Sequence, residues 1–261
     1  MIIHSLRFYR NFATLFYYRM NDLSNKFRFQ FKQFGLNDSK CAMKIGTDGV
    51  LLGAWANINQ AKNILDIGSG SGLITLMVAQ RSNANVCGIE IDEDAAKQSV
   101  ENIKWSPWSN RITIINSDFI AWCTANNEIP KFDHIVSNPP FFNNGPTAPN
   151  ASRALARHNN SLDYNQLLNL AKELLSEDGK ISVISPIERE NDIIFYSTIE
   201  HLYIHRITHV YSKEGGKATR ILWEFSKRKC STQHSSIAIR DCNNNYSQDY
   251  INLTREFYLN F

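Results

Sequence analysis

The sequence has no apolar run approaching the roughly 20 residues that a membrane-spanning helix requires, which argues against a transmembrane protein. Its five cysteines include no Cys-x-x-Cys pair, so neither a disulfide scaffold nor a structural zinc site is indicated. Internal repeats and long linkers are also missing. With 261 residues, of which 43% are hydrophobic, the chain is long enough for one large domain. We expect a cytoplasmic protein without a bound metal.

Positive charge is concentrated in two parts of the sequence. Residues 1–44 contain eight Lys or Arg residues and two acidic residues, although the whole chain has a net charge of only +3. A second basic group lies near the C-terminus and comprises Lys213, Lys217, Arg220, Lys227, Arg228 and Lys229. Such uneven basicity is typical of a surface that binds a polyanion, although a solvated basic face has the same composition.

The N-terminal segment does not resemble the rest of the chain. Residues 1–19 combine basic residues with a short apolar run, FATLFYY, but no small-residue cleavage site follows, so a signal peptide is not indicated. We interpret residues 1–25 as a flexible or misannotated extension, so the natural start is either Met1 or Met20. Residues 26–261 are expected to form a single domain.

The central part of the chain alternates between two hydrophobic patterns. Each of five short β-branched runs precedes a stretch with helical spacing, and these runs are NILDIG, NVCGIEI, RITIINS, FDHIVS and GKISVIS. Repeated strand–helix alternation implies right-handed crossovers and a mostly parallel sheet that is covered on both faces. The pattern therefore predicts a Rossmann-like, doubly wound α/β core over residues 61–230.

The flanking parts add to this core. Residues 26–60 are expected to contribute a strand and a short helix capped by Thr47 or Asp48. The stretches LYIHRITHVYS and ATRILWEFSK predict a final antiparallel strand pair, followed by a C-terminal tail, 231–261. Three histidines spaced four residues apart, His201, His205 and His209, could bind a metal if they lay on a helix, but their β-branched surroundings favour a strand.

A glycine-rich turn follows the first core strand. Asp66 ends that strand, and Gly68, Gly70 and Gly72 lead into a helix, where backbone amides can approach a ligand closely. A dinucleotide fingerprint requires Gly or Ala three residues after its second glycine, and this chain has leucine there. The pattern instead resembles motif I of the S-adenosylmethionine-dependent methyltransferases.

Two further acids end the next two strands. Glu90 can accept hydrogen bonds from both ribose hydroxyls of a nucleoside. Asp118 can accept one from an adenine amino group while Phe119 packs on the ring, although Asp118 alone could be a helix cap. Together, acids at three successive strand ends predict a nucleoside-type cofactor.

The fourth core strand ends in Asn138, Pro139, Pro140 and Phe141. This tetrapeptide resembles the (D/N/S)-P-P-(Y/F) motif of methyltransferases that act on a planar nitrogen, although by itself it could be a rigid turn. The asparagine oxygen and the Pro139 carbonyl can accept the two amine hydrogens and so favour the pyramidal nitrogen of the transition state. The prolines fix the geometry of the loop, and Phe141 can stack on a base.

From about Phe27 onward, the stretches KIGTDGVLLGAWA, SNPPFF, ALARH and LTREFYLNF resemble the bacterial tRNA(Val) adenine-37 N6-methyltransferase family. This resemblance implies S-adenosylmethionine as cofactor, with Asp48 near it. It also implies a tRNA anticodon stem-loop as partner, with Arg157 and His158 near the RNA.

The basic residues are consistent with that partner. Lys213, Lys217 and Arg220 are expected to contact tRNA phosphates while a base is flipped into the site. We expect a monomer and no membrane contact.

Three alternatives to this assignment share some of the motifs. A glutamine methyltransferase that acts on release factors uses a similar tetrapeptide, but behind a helical N-terminal domain that this chain is too short to contain. An rRNA guanine-N2 methyltransferase shares NPPF, but the family members known to us carry a duplicated domain. A non-catalytic RNA-binding module with the same fold would not need Asn138, Gly68, Gly70 and Glu90 together.

Overall fold

The structure is a computed structural model that describes residues 27–126, 128–140 and 162–260. Phe141, Arg157, His158 and the extension 1–25 lie outside the described residues. The strands are β1 (Phe29–Gln30), β2 (Gly35–Leu36), β3 (Asn63–Ile67), β4 (Asn85–Glu90), β5 (Ile112–Asn116), β6 (Phe132–Ser137), β7 (Leu175–Pro186), β8 (Tyr203–Lys213), β9 (Ala218–Ser226) and β10 (Gln233–Arg240). The helices are α1 (Thr47–Trp55), α2 (Leu73–Arg81), α3 (Glu93–Lys104), α4 (Phe119–Ala125), α5 (Tyr164–Leu174), α6 (Glu190–Ile199) and α7 (Gln248–Thr254).

Eight strands form one sheet in the order β10-β8-β9-β7-β6-β3-β4-β5. The five strands from β7 to β5 are parallel, whereas β9 runs antiparallel to both β7 and β8. The predicted fold class, a mostly parallel doubly wound sheet with an antiparallel pair, is confirmed. Beyond that pair, β10 is added parallel to β8 and becomes the outermost strand, which the sequence patterns did not indicate.

Hydrophobic clusters cover both faces of the sheet, as expected for parallel strands with continuous apolar runs. One cluster contains α1, α2 and residues around α7, and the other contains α5 and parts of α4 and α6. Two glycines on one side of α1 allow it to pack closely on α2. A Cβ at Gly49 would lie 2.9 Å from Leu73 Cδ2, and one at Gly53 would lie 2.7 Å from Met77 Sδ.

Two local predictions were wrong. The strand expected within residues 26–60, over the alternating stretch FRFQFKQF at 27–34, is reduced to Phe29–Gln30. The chain turns between Phe31 and Phe34, whose rings stack with centroids 4.8 Å apart, and β2 begins just after the stretch. Neither Thr47 nor Asp48 caps α1: the N-cap is Gly46, without a side-chain hydrogen bond. Among the described residues, no helix is both long and apolar enough to cross a bilayer.

The C-terminal end of the sheet, meaning the end at which β3 to β7 finish, positions the candidate site. β8 also finishes there, because β9 is antiparallel to both β7 and β8. β10 finishes beside β8, since Lys213 pairs with Arg240. β9 begins there, since Arg220 pairs with Pro186 at the end of β7. Ligands of doubly wound sheets bind at this end.

Candidate active site

The glycine turn joins β3 to α2, and its three glycines have two different functions. All three adopt left-handed backbone angles, with φ of 75° at Gly68, 55° at Gly70 and 82° at Gly72. A Cβ added at Gly68 or Gly70 would meet no described atom within 4 Å, whereas a Cβ at Gly72 would lie 2.6 Å from Ser99 Oγ on α3. The first two glycines therefore face open space that a ligand can occupy, and the third allows close packing of the turn on α3.

Glu90 ends β4 beside this turn, because Ile89 pairs with Ile67 at the end of β3. Its carboxylate accepts hydrogen bonds from the backbone N–H groups of Gly70 at 2.7 Å and Asp92 at 2.9 Å. Each carboxylate oxygen has a second lone pair, so the group can still accept hydrogen bonds from a ligand.

Asp66 lies two residues before Gly68 and is fully buried. Thr75 Oγ1 donates to Asp66 Oδ2 at 2.5 Å, but Asp66 Oδ1 has no hydrogen-bond partner among the described residues. Burial raises the pKa of this carboxyl to about 7, the hydrogen bond from Thr75 opposes the rise, and the negative charge of Glu90 adds to it. A buried acceptor without a donor is costly, and a cationic ligand group in the turn would supply that donor.

Asn138 follows β6 next to the glycine turn. Ser137 pairs with Ile67, and its hydroxyl donates to the Ile67 carbonyl at 2.9 Å, which ties the ends of the two strands together. Asn138 Oδ1 is buried and has no hydrogen-bond partner among the described residues. Pro139 is buried and Pro140 is exposed. The structure thus brings an unused acceptor close to the open space at Gly68.

Asp118 and Phe119 begin α4, one strand further along. Asp118 is the N-cap, and its Oδ1 accepts from Ala121 N–H at 2.8 Å. The Phe119 side chain is 5% exposed and stacks on Trp122 within a hydrophobic cluster. Asp118 therefore acts as a helix cap in this structure. The contacts of Asp118 and Phe119 with an adenine stay a prediction.

Asp48 and Arg220, which the sequence assigned to the cofactor and to the RNA, form an ion pair with each other. Arg220 Nε lies 2.9 Å from Asp48 Oδ2, and both side chains are partly exposed. The nearby residues Lys213 and Lys217 border the β8–β9 turn at the same end of the sheet and are exposed.

The second basic group of the sequence is divided by the fold, so its interpretation as one cluster was wrong. Lys227, Arg228 and Lys229 follow β9 at the opposite end of the sheet, because nine residues of extended chain span about 30 Å. Lys227 Nζ donates there to the Leu175 carbonyl, and Arg228 pairs with Asp178 at 2.7 Å.

One part of the site was missed by sequence reasoning. Met43 Sδ lies 3.9 Å from Asn138 Nδ2, and the segment that carries it is held by Asp38 and Asn102. The stretch NDSKCAMK has neither a hydrophobic period nor a motif that would have indicated this position.

Residues 39–191 match the Methyltransferase small domain family. Relatives named tRNA1(Val) (adenine(37)-N6)-methyltransferase come from Bacteroides fragilis, at 43% identity over 88% of this chain and 97% of the relative, and from Actinobacillus succinogenes, at 44% identity over 89% and 98%. A third, from Bacteroides thetaiotaomicron, is 43% identical over 91% of this chain and 99% of the relative.

Solved structures agree on the fold. A predicted O-methyltransferase from Agrobacterium tumefaciens superimposes with a TM-score of 0.62 at 19% identity, covering 80% of this chain and 96% of its own. A ribosomal protein L11 methylase from Lactobacillus delbrueckii subsp. bulgaricus gives 0.52 at 16% identity, covering 74% and 84%. At these identities the similarity concerns the fold alone. With the family match and the relatives above, the chain belongs to the methyltransferase small domain family and, within it, to the bacterial tRNA1(Val) (adenine(37)-N6)-methyltransferases.

Proposed function

We propose that this protein transfers a methyl group from S-adenosyl-L-methionine to the exocyclic N6 of an adenosine in tRNA, and that this adenosine is number 37 beside the anticodon of a valine tRNA. The observation that carries the proposal is the buried Oδ1 of Asn138, which has no hydrogen-bond partner among the described residues and lies beside the open glycine turn. Family membership makes the reaction a methyl transfer, and the relatives' names supply the acceptor.

The residues around the turn fit this cofactor. S-adenosylmethionine supplies a methyl group that its positively charged sulfur activates for transfer. Asp66 Oδ1 is a buried acceptor suited to the ammonium of the methionine part, and the free lone pairs of Glu90 suit the ribose hydroxyls. Gly68 and Gly70 leave the space that a side chain would take from the cofactor. Asp118 and Phe119 are assigned to the adenine.

The acceptor amine is a poor nucleophile because its lone pair is delocalised into the base. Asn138 Oδ1 and the Pro139 carbonyl oxygen accept its two N–H hydrogens, which favours the pyramidal nitrogen and directs the lone pair at the methyl carbon. The N–C bond forms as the C–S bond breaks, with the electron pair left on sulfur, and one N6 proton is then lost to solvent. Phe141 is assigned to stacking on the base, and Pro140 to fixing the backbone after Asn138.

The tRNA backbone is assigned to the C-terminal end of the sheet. Lys213, at the end of β8, is three strand spacings across the sheet from β6 and five residues beyond the level of Asn138 along the strand, so about 20 Å separates the two residues. Lys217 lies in the turn that follows Lys213. A phosphate a few nucleotides from the flipped base can be reached over such a distance. Arg157 and His158 are assigned to the RNA as well, and Arg220 contributes if its pairing with Asp48 is exchanged for a phosphate. We place the enzyme in the cytoplasm as a monomer.

The test is a nucleoside mass analysis of unmodified bacterial tRNA after incubation with the protein and methyl-labelled S-adenosylmethionine. Labelled N6-methyladenosine is expected, and it should disappear when adenosine 37 of valine tRNA is replaced by guanosine. Asn138→Ala should lower turnover on the order of 10²- to 10³-fold, as for loss of one group that contacts the transition state, and leave cofactor affinity nearly unchanged. Label in rRNA guanosine or in a release-factor glutamine, with none in tRNA, would refute the acceptor assignment.

The proposed RNA surface has a matched control at the other end of β9. Lys213→Ala with Lys217→Ala should reduce the slope of log affinity against log salt by about 2, since two phosphate contacts are lost. Arg228→Ala with Lys229→Ala removes the same charge at the opposite end of the sheet and should leave the slope unchanged. Equal effects of the two double variants would show that affinity depends on net charge alone.

A further inference from the structure

Residues 37–46, called the 37–46 strap here, connect β2 to α1 without regular secondary structure. Buried polar contacts nevertheless hold the strap at several points. It begins beside the glycine turn, since the Asn102 side chain bonds to both Asn37 and Ser71. A segment that is irregular and yet so extensively tied has a fixed conformation.

Asn102, on α3, ties the beginning of the strap to the glycine turn. Its Nδ2 donates to the carbonyls of Asn37 and Ser71, both at 2.8 Å, and its Oδ1 accepts from Asn37 N–H at 3.0 Å. The side chain is 1% exposed, so these bonds do not compete with water. A single carboxamide therefore sets the distance between the strap and the turn.

Asp38 closes the strap on itself. This fully buried carboxylate accepts from Ile45 N–H at 2.9 Å and from Arg28 Nη1 at 3.0 Å. Lys44 Nζ donates to the carbonyls of Asp38 and Cys41, both at 2.8 Å. Both ends of the strap are thus joined, and Met43 lies in the part between them.

Met43 is the residue through which the strap reaches the candidate catalytic loop. Its sulfur lies 3.9 Å from Asn138 Nδ2, which is the one polar contact of the Asn138 side chain among the described residues. A thioether sulfur accepts hydrogen bonds but cannot donate them. The NH₂ group of Asn138 is therefore directed at Met43, and Oδ1 remains for the acceptor amine.

We propose that the 37–46 strap orients the Asn138 carboxamide through Met43, and that Asp38 and Asn102 are positioning residues for methyl transfer because they hold the strap in place. The inference rests on the proposed function of Asn138, and it adds a second group of residues that determine the rate without touching the substrate.

Met43 offers the cleanest kinetic test, because it is 45% exposed and its replacement should not unfold the protein. Met43→Leu keeps the bulk and removes the acceptor sulfur. It should lower kcat about 3- to 10-fold, while the KM for tRNA and the Kd for S-adenosylmethionine stay within twofold. In the Asn138→Ala background the same substitution should have no further effect, since it acts through Asn138. Additive effects, or an unchanged kcat in the single variant, would overturn the proposal.

A second measurement does not depend on the acceptor. The side-chain NH₂ resonances of Asn138, identified by their loss in Asn138→Ala, should shift or broaden in Asn102→Ala of the cofactor-free protein. Thr208→Val is the matched control, since Thr208 is a buried residue whose hydroxyl bonds to Trp55 and Ser235 and makes no hydrogen bond to the strap among the described residues. If Asn102→Ala leaves the resonances as the control does, the strap does not position Asn138. Lack of tRNA methylation by the wild type, with the resonance shift present, would refute the proposed function and not this inference.

Discussion

Asp66→Asn is expected to stabilise the cofactor-free protein at pH 8 while weakening its binding of S-adenosylmethionine. The wild-type carboxyl is fully buried, has one oxygen without a donor among the described residues, and has a pKa raised by burial to about 7. At pH 8 the folded protein therefore contains a buried negative charge that, among the described residues, only Thr75 stabilises directly through a hydrogen bond. An amide carries no such charge.

The magnitude follows from the difference in pKa between the folded and unfolded chain. The pKa of Asp66 is about 7 in the folded protein, and its ordinary value, which applies to the unfolded chain, is 3.8. At a pH between these two values, the folded protein keeps the Asp66 proton that the unfolded chain has released. This contribution to stability is fully present below pH 3.8 and is lost as the pH rises through 7. The whole interval corresponds to about 4 kcal/mol, of which about 3 kcal/mol falls between pH 5 and pH 8.

The assay is urea unfolding of cofactor-free wild type and Asp66→Asn at both pH values. The unpartnered amide NH₂ of the variant costs about 1–3 kcal/mol at either pH, so the informative quantity is the change in the stability difference between pH 5 and pH 8. That change should favour the variant at pH 8 by about 3 kcal/mol. Asp38→Asn is the control: its equally buried carboxylate accepts two hydrogen bonds, and its loss should destabilise the protein at both pH values. A stability difference for Asp66→Asn that does not change with pH would refute the reasoning.

The remaining predictions concern the cofactor end of the site. Glu90→Ala should raise the Kd for S-adenosylmethionine before it changes kcat at saturating cofactor, and equal effects on both would mean that Glu90 is misassigned. Gly70→Ala should weaken cofactor binding by more than it lowers stability, because its Cβ would project into the open turn. Gly72→Ala should show the reverse in calorimetric binding and thermal unfolding, because its Cβ would clash with Ser99.

The core of the fold could be predicted because parallel strands are buried on both faces and leave continuous apolar runs in the sequence. The C-terminal strand ends then had to meet, so Asp66, Glu90 and Asn138 could be placed together before their geometry was known. β10 could not be predicted in this way: the first four of its eight residues, QHSS, are polar and exposed, and its hydrophobic pattern is too short to indicate a strand.

Contacts between distant parts of the chain were beyond sequence reasoning for a different reason. Asp48 pairs with Arg220, 172 residues later, and Asn37 is held by Asn102, 65 residues later. Polar pairs of this kind have no period and no compositional signature. A single sequence does not distinguish an acid or amide that has a distant partner from one that contacts only solvent. The prediction of one basic cluster near the C-terminus was wrong for the opposite reason. Residues that are close in sequence lie far apart in space when an extended strand separates them.

Asp66 and Asn138 have one property in common that distinguishes them from the other two polar residues assigned to the site, Glu90 and Asp118. Glu90 and Asp118 accept backbone hydrogen bonds in the protein itself, whereas Asp66 Oδ1 and Asn138 Oδ1 are buried without a donor among the described residues. Each such atom costs about 1–3 kcal/mol as long as no donor is present. A ligand that donates an N–H to such an atom recovers this free energy on binding or in the transition state. A group that is already hydrogen-bonded, such as Glu90, gains less from the same ligand. These two acceptors, which lack a donor among the described residues, therefore indicate where the cofactor's ammonium and the acceptor amine gain the most binding free energy. At Asp66, the free energy of unfolding that the cofactor-free protein loses is recovered as affinity when the cofactor binds.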